Sequence, residues 1–318
     1  MLVPVPPRTV RALGVALALA VGSTACANPE PLVEELPQAA PGQPAGTVVL
    51  PAGASDVART VQRIQDAITA AGGTVTALVD HAADARGVGV EIPPNTVVIG
   101  GSPAAWQPLL RADQQAAAEL PQRYLVRQDG TGAVTLTTNS AAYVAAVSGV
   151  VAPEARTALH DTTTAVARQA LGADPPLGSP LIGVTPVNYL LTVPTDSPVP
   201  EAVDRLRRAA AAGAGRVDAV LDLSAGPGDG GPPLRPTSLV LVSTPEAEAP
   251  LLAAAPSIGL DLPLRFAVWR DAQDVTQIGY PDLRRIAVRH GIPVDDPNVA
   301  RLTADADRIA RAAAGAVD

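Results

Sequence analysis

The sequence holds a few polar residues that could do acid–base chemistry. His81 directly follows Asp80, and Tyr280 and His290 lie near the end of the chain. A histidine near a carboxylate can act as a general acid or base, because the imidazole pKa lies close to neutral pH. Such chemistry requires that the fold bring these residues to one cleft.

Two arginines recur with the same neighbours and indicate a second kind of chemistry. Arg123 lies four residues after Glu119 in "ELPQRY", and Arg265 lies four residues after Asp261 in "DLPLRF". The spacing predicts an ion pair or a backbone cap that fixes a corner between a helix and a strand. The alternative is an arginine that faces an anion in a groove.

Other candidate motifs are incomplete. Ser102 lies in "GGSPA", which lacks the last glycine of a Gly-x-Ser-x-Gly nucleophile turn, so we interpret it as a helix N-cap that could also contact a ligand. The stretch "GPGDGGPP" at 226–233 predicts a strand connection, because a phosphate loop needs a lysine and the chain contains none. The three histidines are isolated, so we expect no metal site, and no motif indicates a cofactor.

Composition narrows the class of partner. A chain of 318 residues with 47% hydrophobic residues predicts about two packed domains. The chain contains 23 basic and 31 acidic residues, which gives a net charge of −8. We therefore expect no nucleic-acid partner, because phosphate binding needs clustered cations.

The N-terminus predicts export. Two arginines precede an apolar run at 12–21, which is too short for a membrane-spanning helix and typical of a signal peptide over 1–25. Cys26 follows small residues at the predicted cleavage point and resembles the lipidated cysteine of bacterial lipoproteins; the alternative is a secreted protein with an incidental cysteine. We expect a lipid anchor on Cys26 that holds the chain on the extracytoplasmic side of the cell membrane. The proline- and glutamate-rich residues 26–46 predict a disordered tether.

The remainder of the chain is an internal duplication. Leu120-Pro121 recurs as Leu262-Pro263, 142 residues later, and the same offset aligns 55–149 with 197–291 without a gap. Chance matches would not align so many prolines and leucines at a single offset. We predict a first repeat domain at 47–172, a linker at 173–188 and a second repeat domain at 189–318.

Each copy shows the same order of predicted elements. A strand precedes an amphipathic helix, whose apolar face is Val57, Val61, Ile64 and Ile68 in the first copy and Val199, Val203, Leu206 and Ala210 in the second. Two more strands, a helix that starts at a Ser/Thr-Pro pair, a hairpin and a last helix follow. Asp80 and His81 are expected in a strand, where neighbouring side chains point to opposite faces.

Several segments together resemble a known family. They are "VDHAADA" at 79–85, "GGSPAAW" at 100–106, "GLDLPLRFAVWRDA" at 259–272, "IGY" at 278–280 and "RHGI" at 289–292. They are similar to the bacterial and archaeal domain of unknown function 302, and the resemblance covers both copies. It implies an α+β fold built from two β-α-β(4)-α units, each an antiparallel-rich sheet with helices on one face. It implies no activity.

The two copies retain different halves of that family's polar set. The first copy keeps Asp80 and His81 but has Thr138 and Ser148 where the pattern has tyrosine and histidine. The second keeps Tyr280 and His290 but has Leu223 at the position of His81. This division favours a composite site between the copies, although independent decay of two sites would give the same pattern.

We therefore expect a lipid-anchored binding or interaction module without catalysis. Its partner would be a small molecule or an envelope protein. The alternative is an enzyme with a composite acid–base site formed between the repeats. The candidate ligand-binding residues are Asp80, His81, Ser102, Arg123, Arg265, Tyr280 and His290.

Overall fold

A computed structural model describes residues 43–213, 215–225 and 232–315. The predicted signal peptide, Cys26 and nearly all of the predicted tether lie outside the described residues, as does most of the 226–233 loop. Among the described residues, no helix combines the length and apolar character needed to cross a bilayer.

The first repeat is a five-stranded antiparallel sheet with the order β1-β5-β4-β3-β2. Its strands are β1 (Thr47–Pro51), β2 (Thr74–Asp80), β3 (Asn95–Gly101), β4 (Arg123–Gln128) and β5 (Val134–Asn139). Its helices are α1 (Val57–Ala70), α2 (His81–Gly87), α3 (Pro103–Ala112), α4 (Ala141–Val147) and α5 (Pro153–Leu171), and a 3-10 helix spans Gln114–Glu119.

The second repeat has the same topology, with the order β6-β10-β9-β8-β7. Its strands are β6 (Leu190–Thr195), β7 (Arg216–Asp222), β8 (Thr237–Ser243), β9 (Leu264–Arg270) and β10 (Thr276–Pro281). Its helices are α6 (Val199–Ala212), α7 (Pro245–Ala254), α8 (Leu283–Arg289) and α9 (Pro297–Ala314), with a 3-10 helix at Pro256–Leu260. The predicted α+β fold with two repeated units is confirmed.

Local details repeat with the same offset. The pairing of the second strand with the third is irregular in both copies, at Val75/Ala77 between β2 and β3 and at Val217/Ala219 between β7 and β8. The Leu120-Pro121 and Leu262-Pro263 peptide bonds are both cis. Each Leu-Pro pair thus leads from a 3-10 helix into the central strand of its sheet, β4 in the first copy and β9 in the second.

Helix burial follows the predicted apolar faces. In α1 the residues Val61, Ile64 and Ile68 are buried against the first sheet together with Val98 and Tyr124. In α6 all four residues of the predicted face are buried. Burying such a stripe stabilises a helix more than its intrinsic propensity does.

The inner strands of the two sheets are covered on both faces. Every residue of β3 is buried, which is unusual for an antiparallel strand with one face open to water. Val98 faces the helices of its own repeat, whereas Val97 and Ile99 belong to the core shared with the second repeat. The sheet faces that carry no long helices therefore pack toward each other and join the repeats.

Several short helices were not predicted, and one corrects the sequence interpretation. His81 begins α2 and is not part of a strand, and Asp80 is the N-cap, accepting a hydrogen bond from the Ala83 amide over 3.0 Å. The prediction that both residues lie in a strand was therefore wrong for His81, because β2 ends at Asp80. Local side-chain capping ends the strand at Asp80.

Candidate functional site

The recurring acid and arginine meet between the repeats. Arg123 donates to its own Glu119 over 2.5 Å and to Asp261 of the second repeat over 3.1 Å. Arg265 donates to Glu119 over 2.9 Å and lies 3.5 Å from Asp261. Each carboxylate thus faces both guanidinium groups in an arrangement with approximate twofold symmetry.

This four-residue ion cluster is removed from solvent. The side chains of Glu119 and Arg123 are each 1% exposed, and those of Asp261 and Arg265 are 0% and 2% exposed. Burial alone would raise the pKa of Glu119, but Arg123 and Arg265 hold it below its ordinary value. Burial likewise opposes ionisation of Asp261, yet Arg289, the hydrogen bond from His290 and the other arginines hold its pKa well below the usual range. Both carboxylates are ionised at neutral pH.

Residues outside the repeated motif make the cluster asymmetric. Arg289 donates to Asp261 Oδ2 over 2.6 Å, and Tyr189 donates to Glu119 Oε1 over 2.6 Å. Three guanidinium groups therefore face two carboxylates, which leaves one positive charge in excess. His290 adds none, because burial lowers its pKa below the ordinary value.

A cavity of about 580 Å³ opens beside this cluster. Its walls come from α4 of the first repeat, from α8 of the second repeat and from the segment that connects them. The apolar lining residues are Val147, Ile182, Val184, Val288 and Val294. The polar lining includes Tyr143, Tyr189, Asp282, Arg284, Arg285 and Arg289. A mainly apolar cavity with a few converging polar groups is typical of a small-molecule site.

Two tyrosines form the part of the cavity nearest the cluster. The Tyr143 and Tyr189 hydroxyl oxygens lie 3.4 Å apart. Because Tyr189 donates to Glu119, Tyr143 is the donor between the two hydroxyls. Burial raises the pKa of Tyr143 to about 12 and raises that of Tyr189 well above its ordinary value, so both are neutral. The Arg289 guanidinium stacks 3.7 Å above the Tyr143 ring centroid.

The residues that line this cavity are positions at which the two copies differ. Helices α4 and α8 are equivalent under the 142-residue offset, which pairs Tyr143 with Arg285 and Val147 with Arg289. One copy therefore contributes an aromatic and an aliphatic side chain where the other contributes two cations. The cavity is therefore asymmetric, although the helices that line it are equivalent in the two copies.

The predicted acid–base residues do not share a cleft. His81 is fully buried in α2, and its Nε2 donates to the Gly259 carbonyl of the second repeat over 3.0 Å. Burial lowers the pKa of His81. Asp80 lines a different cavity of about 500 Å³ on the first repeat, together with Leu78 and Gln128.

The other candidates lie away from both cavities, and two of them, His290 and Tyr280, have side-chain partners within the protein. His290 donates from Nε2 to Asp261 over 2.8 Å and accepts from Ser257 at Nδ1 over 2.9 Å. The Tyr280 hydroxyl donates to Asp307 over 3.0 Å. Ser102 is the N-cap residue of α3 but makes no side-chain capping bond. Neither His290, Tyr280 nor Ser102 lines either cavity.

Among the described residues, no group of three or more histidine, cysteine, aspartate or glutamate side chains is arranged to hold a metal ion. The cationic lining was missed from sequence, because Arg284 and Arg285 belong to no recognised motif. Comparing α4 with α8 position by position would have found it, since α4 carries no charged residue and α8 carries three arginines.

Comparison with known proteins identifies both repeats. Residues 49–170 and 191–313 match the family model described as "Domain of unknown function DUF302". A solved structure of an uncharacterized conserved DUF302 protein from Bacillus stearothermophilus is 19% identical, covers 39% of this chain and 94% of its own, and has a TM-score of 0.32.

Curated relatives match over a shorter stretch. The fluoride-specific ion channel FluC 1 of Brucella suis biovar 1 (strain 1330) is 35% identical over 89 residues, which is 28% of this chain and 35% of that protein. FluC 1 of Brucella abortus biovar 1 (strain 9-941) is 35% identical over the same length, 33% of that protein. The chain thus spans about a third of the length of these relatives.

Proposed function

The chain belongs to the DUF302 family in tandem form, and we propose that it is a lipid-anchored, extracytoplasmic binding protein that takes a small molecule and catalyses no reaction. The observation that carries the proposal is the cavity between α4 and α8. Neither repeat could form it alone, because its walls come from both copies and from the 182–185 segment. A site that needs both repeats gives a reason for the tandem arrangement.

The buried histidines support binding over catalysis. A general acid or base must reach its substrate, and His81 and His290 are both buried with protein partners on Nε2. The cavity offers tyrosine hydroxyls and arginines instead, which suit recognition of a polar group more than proton transfer at neutral pH.

Binding can be tested with a neutral fluorescent probe, N-phenyl-1-naphthylamine. The full chain carrying Cys26→Ser avoids the need for detergent. We expect saturable binding that is lost in Val288→Trp, because Val288 lines the cavity and is 60% exposed, so that a larger side chain fills the cavity without entering the core. The matched control is Val151→Trp, at a residue 93% exposed that does not line the cavity.

Loss of probe binding in the Val288 variant alone supports the cavity as the site. Equal binding by wild type and both variants, or no binding by wild type, would overturn it. Circular dichroism of each variant shows whether the repeats remain folded.

The anchor is tested separately. Cys26 follows an apolar leader, and an acyl chain on this thiol would hold the chain to the membrane. We expect the wild type in the membrane fraction and Cys26→Ser in the soluble extracytoplasmic fraction or the medium. Membrane association that is unchanged by this substitution would contradict the lipid anchor and leave the cavity test unaffected.

A further inference from the structure

We propose that the cavity between α4 and α8 binds an amphipathic anion, a single apolar chain that ends in a carboxylate or phosphate group, and that Arg285 contacts the anionic group. This inference rests on the proposed binding function and adds the chemical class of the ligand. Three features of the cavity support it: an arginine without a protein partner, an excess of buried positive charge and an apolar wall.

Among the described arginines that line the cavity, Arg285 is the one without a protein partner. Its neighbour Arg284 donates from Nε and Nη2 to Asp282 over 2.9 and 3.0 Å and is thereby neutralised. The side chain of Arg285 makes no hydrogen bond or ion pair with any described residue, although it is half-buried in the cavity lining. A guanidinium in this position has its donors available for a carboxylate or phosphate.

Arg289 contributes positive charge to the cavity, but few of its N–H groups are free to bind a ligand. It donates to Ala45 O, to Asp261 and to Asn139 over 2.6 to 3.0 Å, so most of its N–H groups are used inside the protein. It nevertheless belongs to the cluster in which three arginines face two carboxylates. A buried excess charge is costly, and an anion in the adjacent cavity would offset it.

The remaining walls suit an apolar chain. Val147 and Val184 lie inside the cavity lining, whereas Ile182, Val288 and Val294 are exposed apolar side chains around it. Covering them with an apolar chain is favourable by roughly 25 cal/mol for each Å² removed from water. A volume of about 580 Å³ lies within the range of roughly 300–1,000 Å³ that is typical of sites for single small molecules.

Decanoate and decanol separate the role of the charge from that of the chain. Each is titrated against bound N-phenyl-1-naphthylamine at pH 8, with decyl phosphate as the second anionic head group. We expect both anions to bind the wild type roughly tenfold more tightly than decanol, as for a hydrogen bond to a charged group. In Arg285→Gln this preference should disappear while the neutral probe still binds.

The control variant is Arg208→Gln. Arg208 is an exposed residue of α6 that has no partner among the described residues and does not line the cavity, so the substitution changes the net charge equally. Retention of the anion preference in Arg208→Gln and its loss in Arg285→Gln would support the proposal. Equal affinity of wild type for decanoate and decanol, or an unchanged preference in Arg285→Gln, would overturn it.

Two further experiments distinguish the possible sources of the anionic group. Inorganic phosphate alone should not displace the probe, because it lacks the chain; displacement would indicate a free-anion site and overturn the proposal. Sedimentation with phosphatidylglycerol vesicles that depends on Arg285 would indicate a membrane head group and also overturn it. If the neutral probe does not bind at all, the binding function itself fails, which is a different outcome from loss of the anion preference.

Discussion

Arg265 of the second repeat donates a hydrogen bond to Glu119 of the first repeat over 2.9 Å. The equivalent pair, Arg123 and Asp261, is joined over 3.1 Å. The motif that recurs after 142 residues is therefore one of the contacts that join the two copies. Because each carboxylate is shared between an arginine of its own copy and one of the other copy, the two repeats are expected to unfold together.

Removing one carboxylate should destabilise the whole chain. In Asp261→Asn, three buried guanidinium groups would face Glu119 alone, and Arg289 would lose its carboxylate partner. Breaking a buried ion pair on one side costs about 3–5 kcal/mol. We expect a loss of that size in the free energy of unfolding, measured with urea, and a single transition for both repeats in the wild type.

Arg123→Met is the informative comparison for that variant. It removes one of three positive charges and leaves two arginines facing two carboxylates, and two nitrogens of Arg123 already lack a protein partner. Its cost should be clearly smaller than that of Asp261→Asn. A larger loss of stability in Arg123→Met would contradict the charge count that we assign to the cluster.

The cluster also predicts sensitivity to acid. The pKa values of Glu119 and Asp261 are lower in the folded chain than in an unfolded one, so their stabilising effect is present above the unfolded values of about 3.9–4.3. It is lost as the pH falls toward the depressed folded values. Urea unfolding between pH 3 and pH 7 should show this decline, and the double variant Glu119→Gln/Asp261→Asn should show a shallower one. Equal slopes would show that other carboxylates control acid unfolding.

The sequence predicts the elements better than it predicts the site. The duplication, the strands and the apolar faces of α1 and α6 follow from periodicity and offset, which are local signals. In the hairpin between β4 and β5, Asp129 accepts from the Thr131 and Ala133 amides over 2.8 and 3.0 Å. Short capped helices such as α2 carry too few residues to show a period.

The candidate site could be predicted only in part, because it depends on which faces of the two sheets meet. The spacing of Glu119 and Arg123 indicated an ion pair within one copy, but no local pattern shows that each carboxylate is shared across the interface. The family's polar residues drew attention to His81 and His290, which pack against the 3-10 helix at 256–260. The cavity lining comes from divergence between α4 and α8.

Close packing of the repeats at Gly259 gives a separate prediction. A Cβ atom at this position would lie 2.6 Å from Asn95 Oδ1 and 3.0 Å from His81 Cδ2. Gly259→Ala should therefore separate the repeats locally and cost about 1–3 kcal/mol, as for overpacking. The matched control is Gly87→Ala, where an added Cβ meets no atom within 4 Å. Thermal unfolding of both variants checks the prediction, and equal midpoints would show that the interface relaxes without cost.

Glu248 in α7 predicts that the free energy of unfolding falls as the pH rises. This is the opposite of the pH dependence expected from Glu119 and Asp261. The carboxyl is buried, and it accepts from the Thr244 amide over 3.0 Å and from the Thr244 hydroxyl over 3.3 Å. Burial is the main cause that raises its pKa to about 8, and the nearby carboxylates Asp218 and Asp84 add to the effect. Arg216 pairs with both of those carboxylates over 2.8 Å and so limits their contribution.

The raised pKa means that the folded chain keeps a proton that the unfolded chain releases. Its stabilising effect is complete below the unfolded value of about 4.3 and is lost as the pH rises toward about 8, at roughly 1.4 kcal/mol per pH unit. Glu248→Gln imitates the protonated side chain and carries no such linkage. We expect this variant to be more stable than the wild type at pH 7 by on the order of 2–3 kcal/mol, with the difference shrinking toward pH 5. A difference that does not change with pH would show that Glu248 is ionised in the folded chain and that its Thr244 hydrogen bonds outweigh the cost of burial.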